Sequence, residues 1–365
     1  VGGVPEAARR PLRLVRLPVE KPGPAVGFLH ARSQGVMDLI AHFWERLSTT
    51  PPLQRADLHL VIAAEDGEPA DALDPRCEFG NCSGAMLYVP KAHRADVLAL
   101  DRLTALAFSS YILQRGVETA VGEGAKRVVG TSTPKLDGGA KGESAAGEQG
   151  VFERIPLTDL TVAAKGAEAE LLGNGAVAPT AARVPIDFLT GSAEGVEWMV
   201  PALLPAVHRK APARRMVNVV MQLPESVPCE PAAGVRVARD ADVPMLNRWR
   251  RAYKEERGIL FDADLDAWVA TGRVFVFEEE GRVVAVAKLD LELPTLVEIG
   301  GVYTFPDHRQ RGYGSQMVSD LAWRIRAMKK VPTLQVDEEN GPALRLYQST
   351  GWVPRGRLAR VWLTG

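Results

Sequence analysis

The segment that most restricts the fold is a strand, a proline and a glycine-bearing turn that opens a long helix, between positions 296 and 328. Leu296 to Thr304 reads as a strand, Pro306 ends it, and Val318, Leu321, Ala322, Ile325 and Met328 then fall at helical spacing. The turn between them is Arg309-Gln310-Arg311-Gly312-Tyr313-Gly314-Ser315. Glycines let a backbone approach a ligand closely, and the unpaired N–H groups at a helix start, aligned with the helix dipole, favour an anion. The spacing therefore predicts a phosphate cradle. It is not the dinucleotide fingerprint, because Met317 stands where a third glycine is required, and no Gly-Lys-Ser/Thr follows to make a P-loop.

The elements around the cradle are legible. Val235 to Ala238 reads as a strand, and Asp240 as the cap of a helix bearing Val243, Leu246, Trp249 and Tyr253 on one face, closed by Gly258. A short helix from Asp264 to Thr271 precedes a hairpin of Val274 to Phe277 and Arg282 to Leu289 around Glu279-Glu280-Gly281. After the long helix come strand Thr333 to Val336, a helix from Pro342 to Ser349 and strand Arg357 to Leu363. The order is β-α-α-β-β-β-α-β-α-β, an α/β (α+β) arrangement.

In its motifs this region resembles the GNAT superfamily of acyl-CoA-dependent N-acetyltransferases. Arg309, Gly312 and Gly314 match its R/Q-x-x-G-x-G/A signature, Val302 to Pro306 match the preceding strand, and Asn340, Ala343, Leu346-Tyr347 and Gly351-Trp352 match its later segment. The resemblance covers Val235 to Leu363 and implies a GNAT-like mixed sheet with flanking helices. It also implies acetyl-CoA as co-substrate, with no metal, and an amine on a small molecule or peptide as acceptor. Backbone groups of Val302, Tyr303 and Thr304 would then pair with pantetheine, the turn from Arg309 and Gln310 through Arg311, Gly312, Tyr313, Gly314 and Ser315 would hold the phosphates, and Asn340 would belong to the cofactor site. Glu298 is the implied base, since an alkylammonium with a pKa near ~10 must lose a proton before it attacks a thioester. The alternative for Glu298 is a solvated strand residue, and a bulge at Gly300-Gly301 would change the face it points to. Tyr347 is implied to protonate the departing thiolate, against the plainer reading of a half-buried core tyrosine. Arg309 and Arg311 are either phosphate ligands or solvated turn residues. The activity implied is transfer of an acetyl group to a primary amine by direct attack in a ternary complex; a non-catalytic acyl-CoA sensor is the alternative.

The whole chain, at 365 residues, is long enough for two domains, and its 46% hydrophobic and 24% charged content is that of a folded globular protein. A Pro-rich stretch at 223–234 suggests a linker between an N-terminal α/β domain, 1–222, and the GNAT-like domain, 235–365. Thr133 to Gly150 has no hydrophobic period and reads as a flexible loop. A net charge of -1 provides no general attraction to nucleic acid or to anionic membrane, so neither is expected as a partner. No stretch approaches the ~18 apolar residues of a membrane helix, and Val1 to Pro24 has no signal-peptide core. A cytoplasmic monomer or homodimer is expected, and the Ala-, Gly- and Arg-rich composition suggests a GC-rich bacterial source.

The three cysteines, Cys77, Cys82 and Cys229, do not form a disulfide framework. Gly80-Asn81-Cys82-Ser83-Gly84 spells a nucleophile elbow without the strand before it or the helix after it, and Cys77, Cys82 and His93 lack a fourth zinc ligand. A repeat is more informative. Leu58 to Ala63 with Glu65-Asp66-Gly67, then Met86 to Pro90, Arg94 and a helix bearing Leu98, Leu103, Leu106 and Ala107, follow the order of the C-terminal strand, turn, strand, Pro, Arg and helix. This predicts a degenerate GNAT-like half over 27–135, with its helix starting near Asp96. Ala95-Asp96-Val97 would stand at the cradle, without glycine and with a carboxylate that repels phosphate. An unrelated α/β domain is the alternative.

Overall fold

The computed structural model describes residues 12–17, 59–65, 82–89, 93–100, 102–113, 153–155, 184–258 and 265–365. The expected loop at 133–150 and Cys77 lie outside these residues. The chain divides into two compact units, Val1–Val217 with Leu358–Gly365, and Asn218–Arg357. The division falls at Val217/Asn218 rather than at 222/223, and it returns the final segment to the first unit.

In the first unit, β1 (Leu12–Leu17), β2 (His59–Glu65), β3 (Cys82–Val89) and β4 (Arg94–Ala99) pair antiparallel in sequence order, and β5 (Glu153–Ile155) adds to the free edge of β1. Helix α1 occupies 102–113. Strand β6 (Phe188–Ser192) then runs parallel to β4 and leads directly into α2 (Ala193–Leu203). The outer neighbour of β6 is the distant segment Leu358–Trp362, antiparallel to it. Alternation decides which face a residue enters: Val61, Met86, Tyr88, Ala95 and Val97 pack with Phe108, Tyr111 and Ile112 of α1, while Leu60, Ile62, Ala85, Leu87 and Leu98 between them are buried on the other face.

The expected helix near Asp96 is corrected here. Residues 94–99 form a strand, because Ala95, Val97 and Ala99 alternate into the core, and the helix starts at 102. The elbow reading is equally absent, since Cys82 to Gly84 lie within β3.

The second unit is built on a mixed sheet. Strand β7 (Arg214–Gln222) crosses the division, and its residues Asn218–Gln222 pair antiparallel with the later β12. Next come β8 (Val235–Val237), α3 (Val243–Arg257, closed by Gly258), α4 (Leu265–Ala270), β9 (Val274–Glu279), β10 (Arg282–Glu292) and β11 (Leu296–Thr304). Helix α5 (Tyr313–Ala327), β12 (Val331–Asp337), α6 (Gly341–Ser349) and β13 (Val353–Trp362) follow. Strands β8 to β11 are antiparallel, and β11 runs parallel to β12. One face of this mixed sheet packs under Met317, Val318, Leu321 and Ile325 of α5, and the other under Leu246 and Trp249 of α3 and Leu265 and Val269 of α4. At roughly 1.5–3 kcal/mol per large apolar side chain buried, the four α5 residues are a main hold on the helix that carries the turn.

The Pro-rich stretch 223–234 is pinned along α5. Arg326 donates to Val227 O (2.7 Å) and Pro224 O (2.6 Å), and the buried Asp320 accepts from the amide of Ala232 (3.0 Å). Among the described residues no helix is long and apolar enough to cross a membrane.

Candidate active site

The parallel register of β11 and β12 covers only four pairs, Leu296/Val331 to Ile299/Leu334. Beyond Ile299 the edge of β11 facing β12 has no strand partner among the described residues, so Gly300 to Thr304 present backbone groups along an opening in the sheet, apart from the Thr304 carbonyl, which accepts from Arg309 Nε. The opposite edge stays paired, with Tyr303 opposite Val286 and Thr304 opposite Ala285. Three residues of β11 span two of β10 between these pairs and Lys288/Gly300, so one bulge lies at Gly301–Val302, past Glu298; a second irregularity falls on β10 between Leu289 and Leu291, opposite Ile299 and Glu298, and leaves β11 itself regular there. The direction of Glu298 is therefore set by Val297 and Ile299, which both enter the core under α5. Glu298 turns to the other face, toward Lys288.

Just past the opening, Thr304 leads through Pro306–His308 to Gly312, whose φ of 83° caps α5. That conformation favours glycine, and a Cβ there would meet nothing closer than Gln316 Nε2 at 3.6 Å, so backbone conformation rather than space fixes the residue. The first helical bond is Gln316 N–H to Gly312 O (3.0 Å); the preceding amides of Tyr313, Gly314 and Ser315 have no carbonyl one turn behind them. No side chain caps them. The donor set fits an anion.

The side chains of the turn are divided among different tasks. The Tyr313 ring is buried against Phe277, with centroids 5.1 Å apart, so only its amide belongs to the cradle. Gly314 packs beside Leu346, and Ser315 lines a cavity of about 500 Å³ with Ser319, Val227, Cys229, Thr350 and Trp352. Gln310 and Arg311 are exposed. Arg309 is turned away from the cradle: its Nη2 donates to both Glu256 carboxylate oxygens (3.0 and 2.8 Å), its Nε to Thr304 O (3.0 Å), and its guanidinium lies over Tyr303. The Tyr303 hydroxyl also donates to Glu256 (2.5 Å). Burial, and then this bond, push the Tyr303 phenol up to about 12. For Glu256 burial acts upward, but the bonds from Tyr303 and Arg309 prevail and hold it below the ordinary carboxylate value.

Asn340 caps α6, its Oδ1 accepting from Ala343 N (3.4 Å). Tyr347, one turn from the end of α6, is 7% exposed and edge-on to Trp352. Burial, reinforced by Tyr253, raises its phenol far above the ordinary value, so it holds its proton across the working range. Lys288 is 3% exposed, ion-paired with Asp290 and 4.0 Å above the Trp268 ring; desolvation draws its pKa down against the pull of Asp290 and Glu298. The structure thus gathers Glu298, Val302, Thr304 and the α5 amides along β11 and its turn. Glu256, Lys288, Asn218 and Gln335 escaped sequence reasoning, and Tyr253 was legible only as a helix-face residue, since no local motif marks residues that meet across separate strands and helices.

Among the described residues no group of three His, Cys, Asp or Glu side chains could hold a metal ion. His93, considered above as a zinc ligand, has Nδ1 2.7 Å from Asp187 Oδ2.

No curated protein matches the chain by sequence. Among solved structures, it is similar to a GNAT-family protein from Novosphingobium aromaticivorans at 24% identity, over 41% of this chain and 65% of that one, with a TM-score of 0.36. The chain therefore spans less than two thirds of that relative. A GCN5-related N-acetyltransferase from Sphaerobacter thermophilus aligns over 100% of this chain and 98% of its own at 16% identity and a TM-score of 0.47. An N-acetylglutamate synthase from Neisseria gonorrhoeae, complexed with coenzyme A and N-acetylglutamate, aligns over 36% of each chain at 19% identity and a TM-score of 0.27. The decisive match is to a family profile, the Acetyltransferase (GNAT) family, and it runs from residue 243 to 352, taking in α3, the opened edge of β11, the Gly312 turn and Tyr347. The second unit of this chain carries a GNAT domain.

Proposed function

We propose that the second unit transfers an acetyl group from acetyl-CoA to a primary amine, by direct attack within a ternary complex. The observation that carries this reading is the free edge of β11 from Gly300 to Thr304, leading straight into the uncapped amides of Tyr313, Gly314 and Ser315. An extended chain of amides ending in a pyrophosphate has the shape of that surface: strand-like pairing along Val302 and Thr304, then anion binding at the helix start. The cavity at Ser315 offers room for the nucleotide end. Exposed Arg311 is the side chain available to the phosphates, whereas Arg309 serves Glu256.

The proton inventory assigns the remaining roles. Glu298, directly or through water, takes a proton from the acceptor ammonium. The neutral amine attacks the thioester carbonyl to form the carbon–nitrogen bond, and the carbon–sulfur bond breaks as the tetrahedral adduct collapses. Tyr347 protonates the leaving thiolate, and the second proton, shed by the new amide nitrogen, returns to Tyr347 through water, so that one proton in total is released. The acceptor is an amine on a small molecule or a peptide.

Thiol release from acetyl-CoA, followed for a panel of amines with the product identified by mass, tests the reading. Amine-dependent thiol release with one acetyl group gained is expected. Acetyl-CoA binding by calorimetry without amine-dependent release from any of them would leave only the acyl-CoA-binding module.

A further inference from the structure

Glu298 does not stand alone on its strand. Gln335 of β12 donates from Nε2 to Glu298 Oε2 (2.9 Å), and Asn218 of β7 donates from Nδ2 to Gln335 Oε1 (3.2 Å). Both amides lie off the β11 edge assigned to the cofactor, and Asn218 is buried, at 9% exposure. We infer that Gln335 is a positioning residue for Glu298 and that Asn218 fixes the polarity of the Gln335 amide. The inference rests on the acetyl-transfer reading above.

The polarity follows from the carboxylate outward. An ionised Glu298 has only acceptor sites, so Gln335 must turn its NH₂ toward it. Its Oε1 then faces β7, where only a donor is tolerated, and Asn218 supplies Nδ2. The cost of this orientation is visible: Asn218 Oδ1 is buried with no hydrogen-bond partner. The arrangement does two things for a base. It holds one carboxylate oxygen, Oε2, in place, and it favours the ionised form, because a donated hydrogen bond stabilises charge. The titratable groups on the same side are Lys288 of β10 with its partner Asp290, Arg273, and Tyr253 with the Arg257–Asp337 pair of α3 and β12. All of them keep their charge state in the variants tested below, so a shift of the limb reports on the Gln335 amide.

The test is a pH–rate profile of kcat/KM with acetyl-CoA and the best amine of the panel, run on the full-length chain. Gln335→Met removes the donor without changing charge. It is expected to move the acidic limb upward by about one pH unit, the worth of a charge-assisted hydrogen bond, and so to slow turnover roughly tenfold below the limb. Asn218→Asp is nearly isosteric but accepts where Asn218 donates. It should rotate the Gln335 amide, point Oε1 at Glu298 and shift the limb in the same direction, while Asn218→Ser, a shorter donor, restores part of the parent profile. Acetyl-CoA affinity by calorimetry should stay within about twofold in all three, which separates positioning from loss of fold. Folded Gln335→Met and Asn218→Asp proteins with the parent's acidic limb would overturn the relay and leave acetyl transfer intact. A parent protein without amine-dependent turnover would remove the acetyl-transfer reading and the relay with it.

Discussion

Burial and the neighbouring Tyr253 suit Tyr347 to the proton-donor role proposed for it. Its hydroxyl is pushed to high pKa by desolvation, so it remains a proton donor well above the pH at which an exposed tyrosine ionises. Tyr347→Phe is therefore expected to lower kcat by about 10²-fold with little change in acetyl-CoA affinity, and the parent rate should not fall through Tyr347 ionisation below pH ~10. Stopped-flow turnover from pH 7 to 10 checks both; an unchanged kcat in the phenylalanine variant would return Tyr347 to the core. Asp96 is the reverse case. It is 2% exposed, Arg94 holds only Oδ1, and Oδ2 has no partner. Desolvation raises its pKa against the opposing pull of Arg94, so its favourable state is the protonated one, fully present below the unfolded pKa and lost as pH rises through the folded value. Asp96→Asn should accordingly raise the melting temperature at pH 7 by a few degrees, about 1 kcal/mol being worth ~2–4 °C here, and the gain should vanish toward pH 4. Equal melting temperatures at pH 7 would mean that Asp96 is solvated in the folded protein.

At the level of elements, the turn and its helix were the most legible part of the sequence, because Gly312 and Gly314 and the spacing from Val318 to Ile325 are local signals. Gly312→Val is expected to weaken acetyl-CoA by more than tenfold in calorimetry, since a β-branched residue resists the φ of 83° that aims the α5 amides. Unaltered affinity would detach the turn from cofactor binding. The N-terminal half was legible only in outline. The sequence predicts the strands at β2 and β3 but places a helix start at β4, because Leu98 falls at helical spacing with Leu103, Leu106 and Ala107 while the short run 95–99 is too brief to show a strand period of its own. Asp96 pairs with Thr190 across β4 and β6, and Glu298 with Thr333 across β11 and β12, each third in a four-residue parallel register. The openings differ. A Cβ on Gly191 would lie 1.8 Å from Val97 O, and one on Gly195 3.1 Å from Ala99 N, so β6 and α2 close against β4 where β12 leaves β11 free. Among the described residues β4 borders no comparable slot. Titration of the whole protein should find one acetyl-CoA per chain; two equivalent sites would contradict that closure.

At the level of the molecule, the Pro-rich stretch looked like a boundary because prolines interrupt both helix and strand patterns, whereas the pairing partners of β12 and β6 come from segments that no local pattern connects to them. A fragment starting at 235 would lose Asn218–Gln222 from the edge of β12, together with the 223–234 stretch held by Arg326, and would keep Leu358–Leu363 without its partner strand. Such a fragment is expected to be poorly soluble and to melt well below the full chain, in circular dichroism and by ultracentrifugation; a monomeric fragment with the parent's melting temperature would show that the exchanged strands contribute little.

The pairing of Phe188–Ser192 with Leu358–Trp362 also orders events during synthesis. A ribosome adds about 5–20 residues each second, so β6 waits many seconds with one edge unfilled while the whole intervening GNAT domain is made. Arg360 pairs with Thr190 and Val361 with Leu189 only after that domain has left the exit tunnel. The first unit, although translated first, is the last to close, and a nascent chain stalled before position 358 would present an open sheet edge to chaperones.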